Sequence, residues 1–313
     1  MENKQEWLRE RKSYIGGSEL AALCNVPGCE IKSYNKTPLD IYLSKTTDEI
    51  KELTKRDANF EAAYWGTKFE PLVAERYAAE CNVEINDSYE LIRHPKYPFI
   101  ACNIDKWVNN REYILECKTG HFFKKKDWEE QGVLKIPECY HLQVAYYAAI
   151  CDVPKVDIAV LIGGQDFRIY TYERNRELEH KLIKIACNFW HNHIEKRIPP
   201  KCVNTKDTFN LFPQSHHHEI VAESNIMEKW EQLKSLKEEE VRIQSTIEKL
   251  KTDIQEFMRD YDVLIDNQGN VIATWKNTVP KSFFDVKKFK DEAKELYLKY
   301  VSHAKQSRMF LVK

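Results

Sequence analysis

The chain has 313 residues, of which 42% are hydrophobic and 31% are charged, and its formal net charge at pH 7 is −1. This length and composition provide for one large buried core with a smaller appendage. No apolar run approaches the roughly 20 residues that span a bilayer, and the charged start at 1–6 does not have the pattern of a signal peptide. The balanced charge argues against a general DNA-binding protein, which needs clustered cations, but not against an enzyme whose basic residues line a channel.

The first predicted element follows a pair of glycines. Gly16 and Gly17 precede Ser18 and the apolar run 20–23, a pattern that predicts a turn into a helix with Ser18 as its N-cap. Free backbone N–H groups and the helix dipole would point at an anion there, and Arg11 is placed to close over it. The alternative is an ordinary capped helix after a loop.

A helix is predicted next, at 64–77. Its apolar residues recur at intervals of three and four, which is typical of a buried stripe; they are Trp65, Phe69, Leu72, Val73 and Tyr77. Glu70 lies beside this stripe. Its carboxylate can reach a metal-bound water, or it can be a capping or salt-bridged glutamate.

Two strands at 99–108 and 112–118 are predicted to form a hairpin. A loop at 110–111 places Asp105 directly opposite Glu116, whereas a loop at 109–110 makes them diagonal neighbours on one face. Because side chains alternate along a strand, Glu116 and Lys118 share a face and Cys117 points away, so that only its backbone carbonyl can join them.

The chemistry of this hairpin indicates a divalent metal. Two close buried carboxylates repel unless a cation lies between them, and oxygen ligands from Asp105, Glu116 and the Cys117 carbonyl suit Mg²⁺ or Mn²⁺ better than zinc. Lys118 is placed to orient an attacking water and offset transition-state charge. The alternative is a surface hairpin with a cross-strand salt bridge, because this spacing arises easily by chance in so charged a chain.

The next segment, 121–128, combines three lysines with three aromatic rings. Lys124, Lys125 and Lys126 can track a phosphate backbone while a ring stacks on bases, or they form a solvated face. A helix at 137–148 then places Tyr140, Gln143 and Tyr147 on one face. Strands at 156–164 and 167–172 complete a mixed sheet flanked by helices, which predicts one α/β domain of about 200 residues.

The carboxy-terminal third has a different pattern. We predict a domain at 1–200, an irregular linker at 201–222 and an interaction module at 223–313, made of a long helix and small α+β elements. The α+β elements are strand–turn–strand patterning at 263–276, a basic helix at 286–300 and a last strand at 308–312. Residues 223–266 have a net charge of −5 and residues 276–313 of +6, which suits an interaction module or packing between the acidic helix and the basic tail.

The long helix, predicted at 223–262, carries a heptad seam. Its members are Ile243, Ile247, Leu250, Ile254, Phe257 and Tyr261. The seam either packs against the same chain or forms a coiled coil with another chain. We favour the first, because only about three heptads are regular.

The order of these motifs resembles the PD-(D/E)XK nuclease superfamily, and within it the YqaJ-type viral recombinase, lambda-exonuclease-like family. The resemblance covers roughly residues 7–172. The matching motifs are Arg11-x(3)-Ile15-Gly16-Gly17-Ser18-Glu19, Gly66-Thr67-x-x-Glu70-Pro71, Asn103-Ile104-Asp105, Glu116-Cys117-Lys118 and Tyr140-x-x-Gln143-x-x-x-Tyr147. One position departs, since Ile104 stands where the superfamily name has proline.

The resemblance implies a Mg²⁺-dependent exonuclease that degrades one strand of linear duplex DNA from its 5′ end. Asp105 and Glu116 would then be metal ligands, and Glu70 would hold a metal-bound water. Lys118 would serve the nucleophile, and Gln143 would position Lys118 or the phosphate. Two further matches, Arg11 and Ser18, would hold the terminal 5′-phosphate. Family members commonly form closed rings, so a homo-oligomer is expected.

The cysteines and histidines argue against other metal centres. The chain has nine cysteines and no C-x-x-C pair, which predicts reduced core thiols in a cytosolic protein and no iron–sulfur cluster. They are Cys24, Cys29, Cys81, Cys102, Cys117, Cys139, Cys151, Cys187 and Cys202. Adjacent histidines at 216–218, in a polar loop, are not expected to bind metal.

The sequence therefore predicts a phage- or prophage-type exonuclease in the bacterial cytoplasm. It would leave 3′ overhangs on duplex ends and work with a single-strand annealing protein in recombination. One alternative is an endonuclease or repair nuclease of the same superfamily. The other is a catalytically silent DNA-binding or assembly module, against which the set of Glu70, Asp105, Glu116 and Lys118 argues.

Overall fold

The computed structural model describes residues 2–24, 36–48, 57, 59–88, 90–130, 132–216, 218–302 and 308–312. The chain divides into two compact units, Met1–Thr208 and Phe209–Lys313. No helix in these described ranges is both long enough and apolar enough to cross a membrane.

The first unit is an α/β fold built on a five-stranded mixed sheet, as predicted. Its strands are β1 (Ile85–Asp87), β4 (Lys106–Val108), β5 (Tyr113–Gly120), β8 (Lys155–Ile162) and β9 (Asp166–Glu173), in the order β1-β4-β5-β8-β9. Only β5 and β8 are parallel. Two small antiparallel pairs accompany the sheet, β2 (Ile92–Arg93) with β3 (Ala101–Cys102) and β6 (Glu129–Glu130) with β7 (Val133–Leu134).

Helices cover both faces of this sheet. The described helices of the first unit are α1 (Glu2–Glu10), α2 (Leu20–Leu23), α3 (Pro38–Thr46), α4 (Phe60–Cys81), α5 (Glu138–Cys151) and α6 (Arg176–Phe189). Helix α5 is the crossover between β5 and β8, the connection that two parallel strands need. Residues 113–117 of β5 are continuously buried because neither face of this strand meets water.

Helix α4 packs on one face of the sheet through a narrower stripe than the sequence predicts. Val73, Ala74 and Tyr77 are buried with Leu115 and Cys117 of β5. Two residues of the predicted stripe were assigned wrongly. Trp65 and Leu72 are about half exposed, because at 3.6 residues per turn they lie on a different face of the helix from Val73, Ala74 and Tyr77.

The predicted strand at 99–108 is interrupted. It forms β3 and β4, with residues 103–105 outside either strand. The break arises where the Asp105 carboxylate accepts a hydrogen bond from the Cys117 N–H, at 2.7 Å. A strand residue paired there would use its backbone carbonyl instead.

A short helix, α7 (Thr205–Leu211), starts in the last residues of the first unit. It lies within the range predicted as a linker. Its Asp207 is buried and accepts hydrogen bonds from the Thr37 hydroxyl, at 2.8 Å, and from the Val203 N–H, at 3.0 Å. This part of the predicted linker is therefore ordered against the first unit. The assignment of separate functions to 1–200 and 223–313 stays a prediction.

The second unit contains the predicted long helix, α8 (Ser224–Met258), and the predicted hairpin of β10 (Val263–Ile265) and β11 (Val271–Thr274). The single basic helix expected at 286–300 is instead two short helices, α9 (Val286–Glu292) and α10 (Lys294–Tyr300). The strand predicted at 308–312 is not formed in these residues. Tyr261, assigned to the heptad seam, lies beyond the end of α8.

Candidate active site

Strand β5 places Glu116 and Lys118 on one face of the sheet and Cys117 on the other, as the period-two alternation predicts. The side chain of Cys117 is in the apolar cluster beneath α4. Glu116 faces α5 and is only 3% exposed. The strand thus delivers a carboxylate and an ammonium group to the same buried position.

Asp105 reaches the edge of β5 from the bend that precedes β4. The ladder pairs Lys106 with Leu115, so the same register continued by one residue sets Asp105 opposite Glu116. This is the register that the predicted loop at 110–111 requires. Because the N–H and C=O of one strand residue point to the same side, the Cys117 carbonyl also faces the edge where its N–H meets Asp105.

Glu116 is held by one of its two oxygens. Its Oε1 accepts a hydrogen bond from Gln143 Nε2, at 2.7 Å, and also contacts the Lys118 ammonium. The same Gln143 nitrogen donates to the Tyr147 hydroxyl, at 2.8 Å. The other oxygen, Oε2, is buried and has no hydrogen-bond partner among the described residues. An unsatisfied buried carboxylate oxygen is costly unless a further ligand completes it.

Lys118 is enclosed by aromatic and acidic groups. Its Nζ lies 5.1 Å from the centre of the Tyr140 ring, and Tyr140 in turn stacks on Trp128 at 5.3 Å. Burial lowers the pKa of Lys118, but the adjacent Glu116 and Asp105 carboxylates raise it further, so the net shift is upward. Lys118 is therefore a fixed positive charge rather than a proton acceptor at neutral pH.

Glu70 approaches the same edge from α4. It is partly buried, and its Oε1 lies 3.6 Å from Lys106 Nζ. Burial and the negative charge of Asp105 raise its pKa, against the opposing effect of Lys106. The structure thus brings Glu70 into the electrostatic field of the two carboxylates, with a salt bridge to Lys106 that the sequence interpretation missed. The only signal for that contact was a lysine directly after Asp105.

Burial and charge repulsion both act on the carboxyl groups of this site. Burial, followed by the nearby Asp105, raises the pKa of Glu116 to about 8. Burial also raises the pKa of Asp105, although Lys118 opposes the shift. Lys118 and Lys106 do not neutralise the three carboxylates, because Lys106 also pairs with Asp87 at 2.6 Å. A divalent cation would relieve the remaining repulsion.

The donor set fits Mg²⁺ or Mn²⁺. In the described part of the chain, no three His, Cys, Asp or Glu side chains already form a metal-binding group. Direct ligation here would instead use two carboxylates, Asp105 and Glu116, together with the Cys117 carbonyl, which leaves positions for water. The unpartnered Glu116 Oε2 is the atom that such a cation would satisfy, and hard oxygen ligands are those that Mg²⁺ prefers.

The two residues predicted to bind a terminal phosphate lie together. Arg11 Nη2 donates to Ser18 Oγ at 3.4 Å and lies 3.8 Å from Glu19 Oε1. The N-cap prediction was wrong, however. Ser18 lies inside a 3-10 turn, Gly17–Glu19, and the Glu19 carboxylate accepts the Gly16 N–H at 2.9 Å. An anion here would meet side chains rather than a helix N-terminus.

This turn packs against the helix that orients Glu116. A Cβ added at Gly17 would lie 2.5 Å from Tyr147 Cε1 and 3.1 Å from Gln143 Cγ. Only glycine permits such a close approach. The Arg11 and Ser18 pair is therefore one side-chain layer away from the carboxylate site.

The basic segment forms a 3-10 helix, Phe122–Trp128. Phe123 is 84% exposed, and Lys124 and Lys126 are also exposed. Lys125 differs, because its Nζ forms a salt bridge with Asp166 at 2.9 Å. The buried Trp128, which supports Tyr140, anchors this segment next to Lys118 and was missed by the sequence interpretation.

The remaining metal candidates lie elsewhere. His216 and His218 are exposed, and His217 is outside the described residues. The cysteines that the structure describes form no disulfide with one another; Cys29 is outside this part of the chain. The expectation that all are core thiols was wrong, since Cys81 is exposed on the last turn of α4.

The chain is similar in sequence to known proteins. A family model described as the YqaJ-like viral recombinase domain matches residues 6–154. The chain is also 29% identical over 305 residues to the uncharacterized protein YqaJ of Bacillus subtilis strain 168, an alignment that covers 95% of this chain and 90% of that protein.

Two solved structures are similar at low sequence identity. The alkaline exonuclease LHK-Exo from Laribacter hongkongensis has a TM-score of 0.49 at 17% identity, covering 62% of this chain and 94% of that one. A phage related exonuclease from Haemophilus somnus 129PT has a TM-score of 0.44 at 13% identity, covering 59% of this chain and 96% of that one.

Proposed function

We propose that the protein is a Mg²⁺-dependent 5′-to-3′ exonuclease acting on linear double-stranded DNA ends, because the YqaJ-like viral recombinase domain model matches residues 6–154. The family is a nuclease family, and the chain is an enzyme of that class. The proposed product is a 3′ single-stranded overhang. A single-strand annealing protein would then use this overhang in phage-type recombination in the bacterial cytoplasm.

One observation carries the proposal. Glu116 is buried with Asp105 nearby, one of its oxygens is held by Gln143 and Lys118, and the other has no partner among the described residues. A purely structural carboxylate would have both oxygens satisfied. This arrangement supports a site that is completed by a cation.

The proposed roles follow from these contacts. A bound Mg²⁺ would polarise the scissile phosphate and lower the pKa of a coordinated water. Gln143 fixes the orientation of Glu116, and Glu70 is placed to hold a metal-bound water. The Lys118 ammonium orients the attacking water and offsets negative charge on the phosphate. It stays charged because the neighbouring carboxylates raise its pKa.

We assign recognition of the strand end to the pair formed by Arg11 and Ser18. Arg11 presents a planar fork of N–H donors that suits a terminal phosphate with two free oxygens, and Ser18 adds a hydroxyl. Both are partly exposed, in contrast to Gly17 and Glu19 on either side of Ser18. A phosphate bound here would place a 5′ terminus close to the scissile bond.

The path of the DNA is assigned to the basic segment. Lys124, Lys126 and, after exchange of its salt bridge with Asp166, Lys125 would contact phosphates, while Tyr140 lies between Lys118 and this segment. These contacts are sequence-independent and sensitive to salt. Assembly as a closed ring would confine such cations to the interior of a protein whose net charge is −1.

The test is digestion of end-labelled linear duplex DNA, with and without a 5′-phosphate, in Mg²⁺ and in chelator. Lys118→Ala should lower the rate by about 10²–10³-fold or more, because it removes the charge that faces the reacting phosphate. Lys184→Ala, at an exposed position of α6, is the matched control and should change the rate little. Arg11→Ala should selectively remove the preference for 5′-phosphate, whereas Arg9→Ala should not. Equal parental activity on both substrates would contradict the role of Arg11.

The alternatives have separate outcomes in related assays. An endonuclease of the same superfamily would cleave closed circular duplex DNA, on which the proposed exonuclease is inactive. A catalytically silent DNA-binding or assembly module would release no nucleotides from any substrate in Mg²⁺ or Mn²⁺. The geometry of Arg11 and Ser18 favours recognition of an end over internal cleavage.

A further inference from the structure

A second lysine lies next to the acidic site, on the opposite face of the sheet from Lys118. Lys106 is the first residue of β4, and its side chain is 11% exposed. It pairs directly with Leu115 of β5, so the two side chains share a face. Leu115 is in the apolar cluster beneath α4, and Lys106 is therefore turned toward the helix that carries Glu70. A buried ammonium group at this position needs ionic partners.

Two carboxylates contact the Lys106 ammonium. Asp87 of β1 lies directly opposite Lys106 in the ladder, and its Oδ1 accepts a hydrogen bond from Lys106 Nζ at 2.6 Å. On α4, Glu70 Oε1 lies 3.6 Å from the same nitrogen. The Lys106 side chain is the least exposed of the three, which strengthens both contacts because solvent screens them less. Lys106 thus joins a carboxylate outside the candidate site to one that belongs to it.

Glu70 needs such a partner to stay near the site. It lies three and four residues before Val73 and Ala74, which are buried against the sheet, so its side chain shares their face of α4. There it meets the negative charge of Asp105. Like charges favour separation, and a partly exposed glutamate can turn into solvent to achieve it. The Lys106 ammonium offsets this repulsion and favours the conformation of Glu70 that faces the site.

We propose that Lys106 is a positioning residue, which is anchored by Asp87 and holds the Glu70 carboxylate toward the metal-binding carboxylates. This inference rests on the proposed function, in which Glu70 holds a water of the bound cation. The salt bridge engages Oε1 of Glu70, and no hydrogen bond from a described residue reaches its second oxygen. That oxygen is left for the water. Groups in this outer position change metal affinity or activity by about 10–100-fold.

The first test is binding of Mn²⁺ alone to the full chain, measured by titration calorimetry without DNA. Lys106→Met keeps the apolar stem but removes the charge, and the affinity should fall about 10-fold. Glu70 is then free to turn to solvent, so a positive and a negative charge leave the site together and the lost water contact decides the affinity. Lys106→Arg keeps the charge and should restore most of the binding.

The matched control is Lys155→Met. Lys155 is also a strand lysine of this sheet, and its Nζ forms an ion pair with Asp157 at 3.0 Å. Its replacement removes a comparable ion pair from the first unit without touching the acidic site. The affinity for Mn²⁺ should therefore stay at the parental value.

A double-mutant cycle distinguishes positioning from a general loss of stability. If Lys106 acts through Glu70, then Lys106→Met should cause no further loss of Mn²⁺ affinity in a Glu70→Gln background, because residues that act as a unit are not additive. Digestion kinetics should show the same coupling. In the parental background kcat should fall about 10-fold, while KM for DNA stays the same because Lys106 is buried beneath α4.

The outcomes separate this inference from the proposed function. Parental or tighter Mn²⁺ binding by Lys106→Met would overturn the inference, since an ammonium group that only repels the cation gives that result. Additive losses in the cycle would also overturn it and assign Lys106 to stability alone. A parent that shows the predicted coupling in Mn²⁺ binding but releases no nucleotides would refute the nuclease and support the positioning role. A parent that digests DNA without this coupling would refute only the role of Lys106.

Discussion

Glu19 shows how a single buried carboxylate can support the proposed end-binding pair. It is 3% exposed and accepts hydrogen bonds from the Gly16 N–H and the Lys45 ammonium, both at 2.9 Å. Burial raises the pKa of Glu19, but Lys45 and Arg11 lower it further, and the net shift is downward. Lys45 also donates to the Arg11 carbonyl at 2.6 Å. The buried ion pair thus joins the backbone of Arg11 to the turn that carries Ser18.

Replacing this carboxylate should be costly at neutral pH. Glu19→Gln would leave Lys45 buried without its counter-charge, and we expect the free energy of unfolding at pH 7 to fall by about 3 kcal/mol. Because the folded-state pKa of Glu19 is lower than its unfolded value, its contribution is fully present above that unfolded value and is lost as pH falls through the folded pKa. Denaturant unfolding at pH 7 and in acid measures this, with the exposed Glu10→Gln as control. A parent–variant difference that grows on acidification would contradict the assignment.

The residues of the candidate site were predictable to different degrees. Alternation along one strand was sufficient to place Glu116, Cys117 and Lys118. Counting from the hairpin loop left Asp105 either opposite or diagonal to Glu116, and only the strand register decides between them. Lys45 was not predictable, because its contact with Glu19 joins residues 26 apart through packing of two helical segments. Lys106 was missed for a related reason, since its partner Glu70 belongs to a different element.

At the scale of elements, the close packing of the Gly17 turn on α5 links the two halves of the proposed site. Gly17→Ala would force Tyr147 and Gln143 to move, because the added methyl group would lie 2.5 Å from the Tyr147 ring. Displacement of Gln143 would release Glu116. We expect Gly17→Ala to lower the digestion rate about 10-fold or more while the protein remains folded, since small displacements of catalytic groups have large effects on rate.

The matched control is Gly66→Ala in α4. There an added Cβ meets only the Thr119 hydroxyl, at 3.8 Å, so activity should be retained and the helix stabilised by about 1 kcal/mol. Initial rates and thermal unfolding of both variants make the comparison. Full activity of Gly17→Ala would show that the turn and α5 are not coupled in this way.

Element prediction succeeded where periodicity was decisive and failed where tertiary contacts decide. The strands β5, β8 and β9 and the helices α5 and α8 follow directly from their patterns. The break before β4 did not, because it depends on a side chain taking the hydrogen bond of a neighbouring strand. The buried face of α4 was also misassigned, since apolar Trp65 and Leu72 fit a helical stripe equally well whether or not a sheet covers them.

At the scale of the whole molecule, the two units differ in how they use apolar residues. The first unit contains nearly all of the buried core, whereas Met258 is the one buried residue of the second unit among those described. Composition could predict a large core with a smaller appendage, and charge could predict an interaction module. Neither could predict that the seam of α8 is exposed, because that depends on which surfaces are available to cover it.

The metal site is the claim on which the proposed function depends most directly. Diffraction from crystals of the protein grown with Mn²⁺, recorded at the manganese absorption edge, would locate the ion by its anomalous scattering. We predict a peak in contact with Asp105 and with the oxygen of Glu116 that has no protein partner, and no such peak in Glu116→Gln. Mn²⁺-containing crystals of the parent without a peak at these carboxylates would contradict the account.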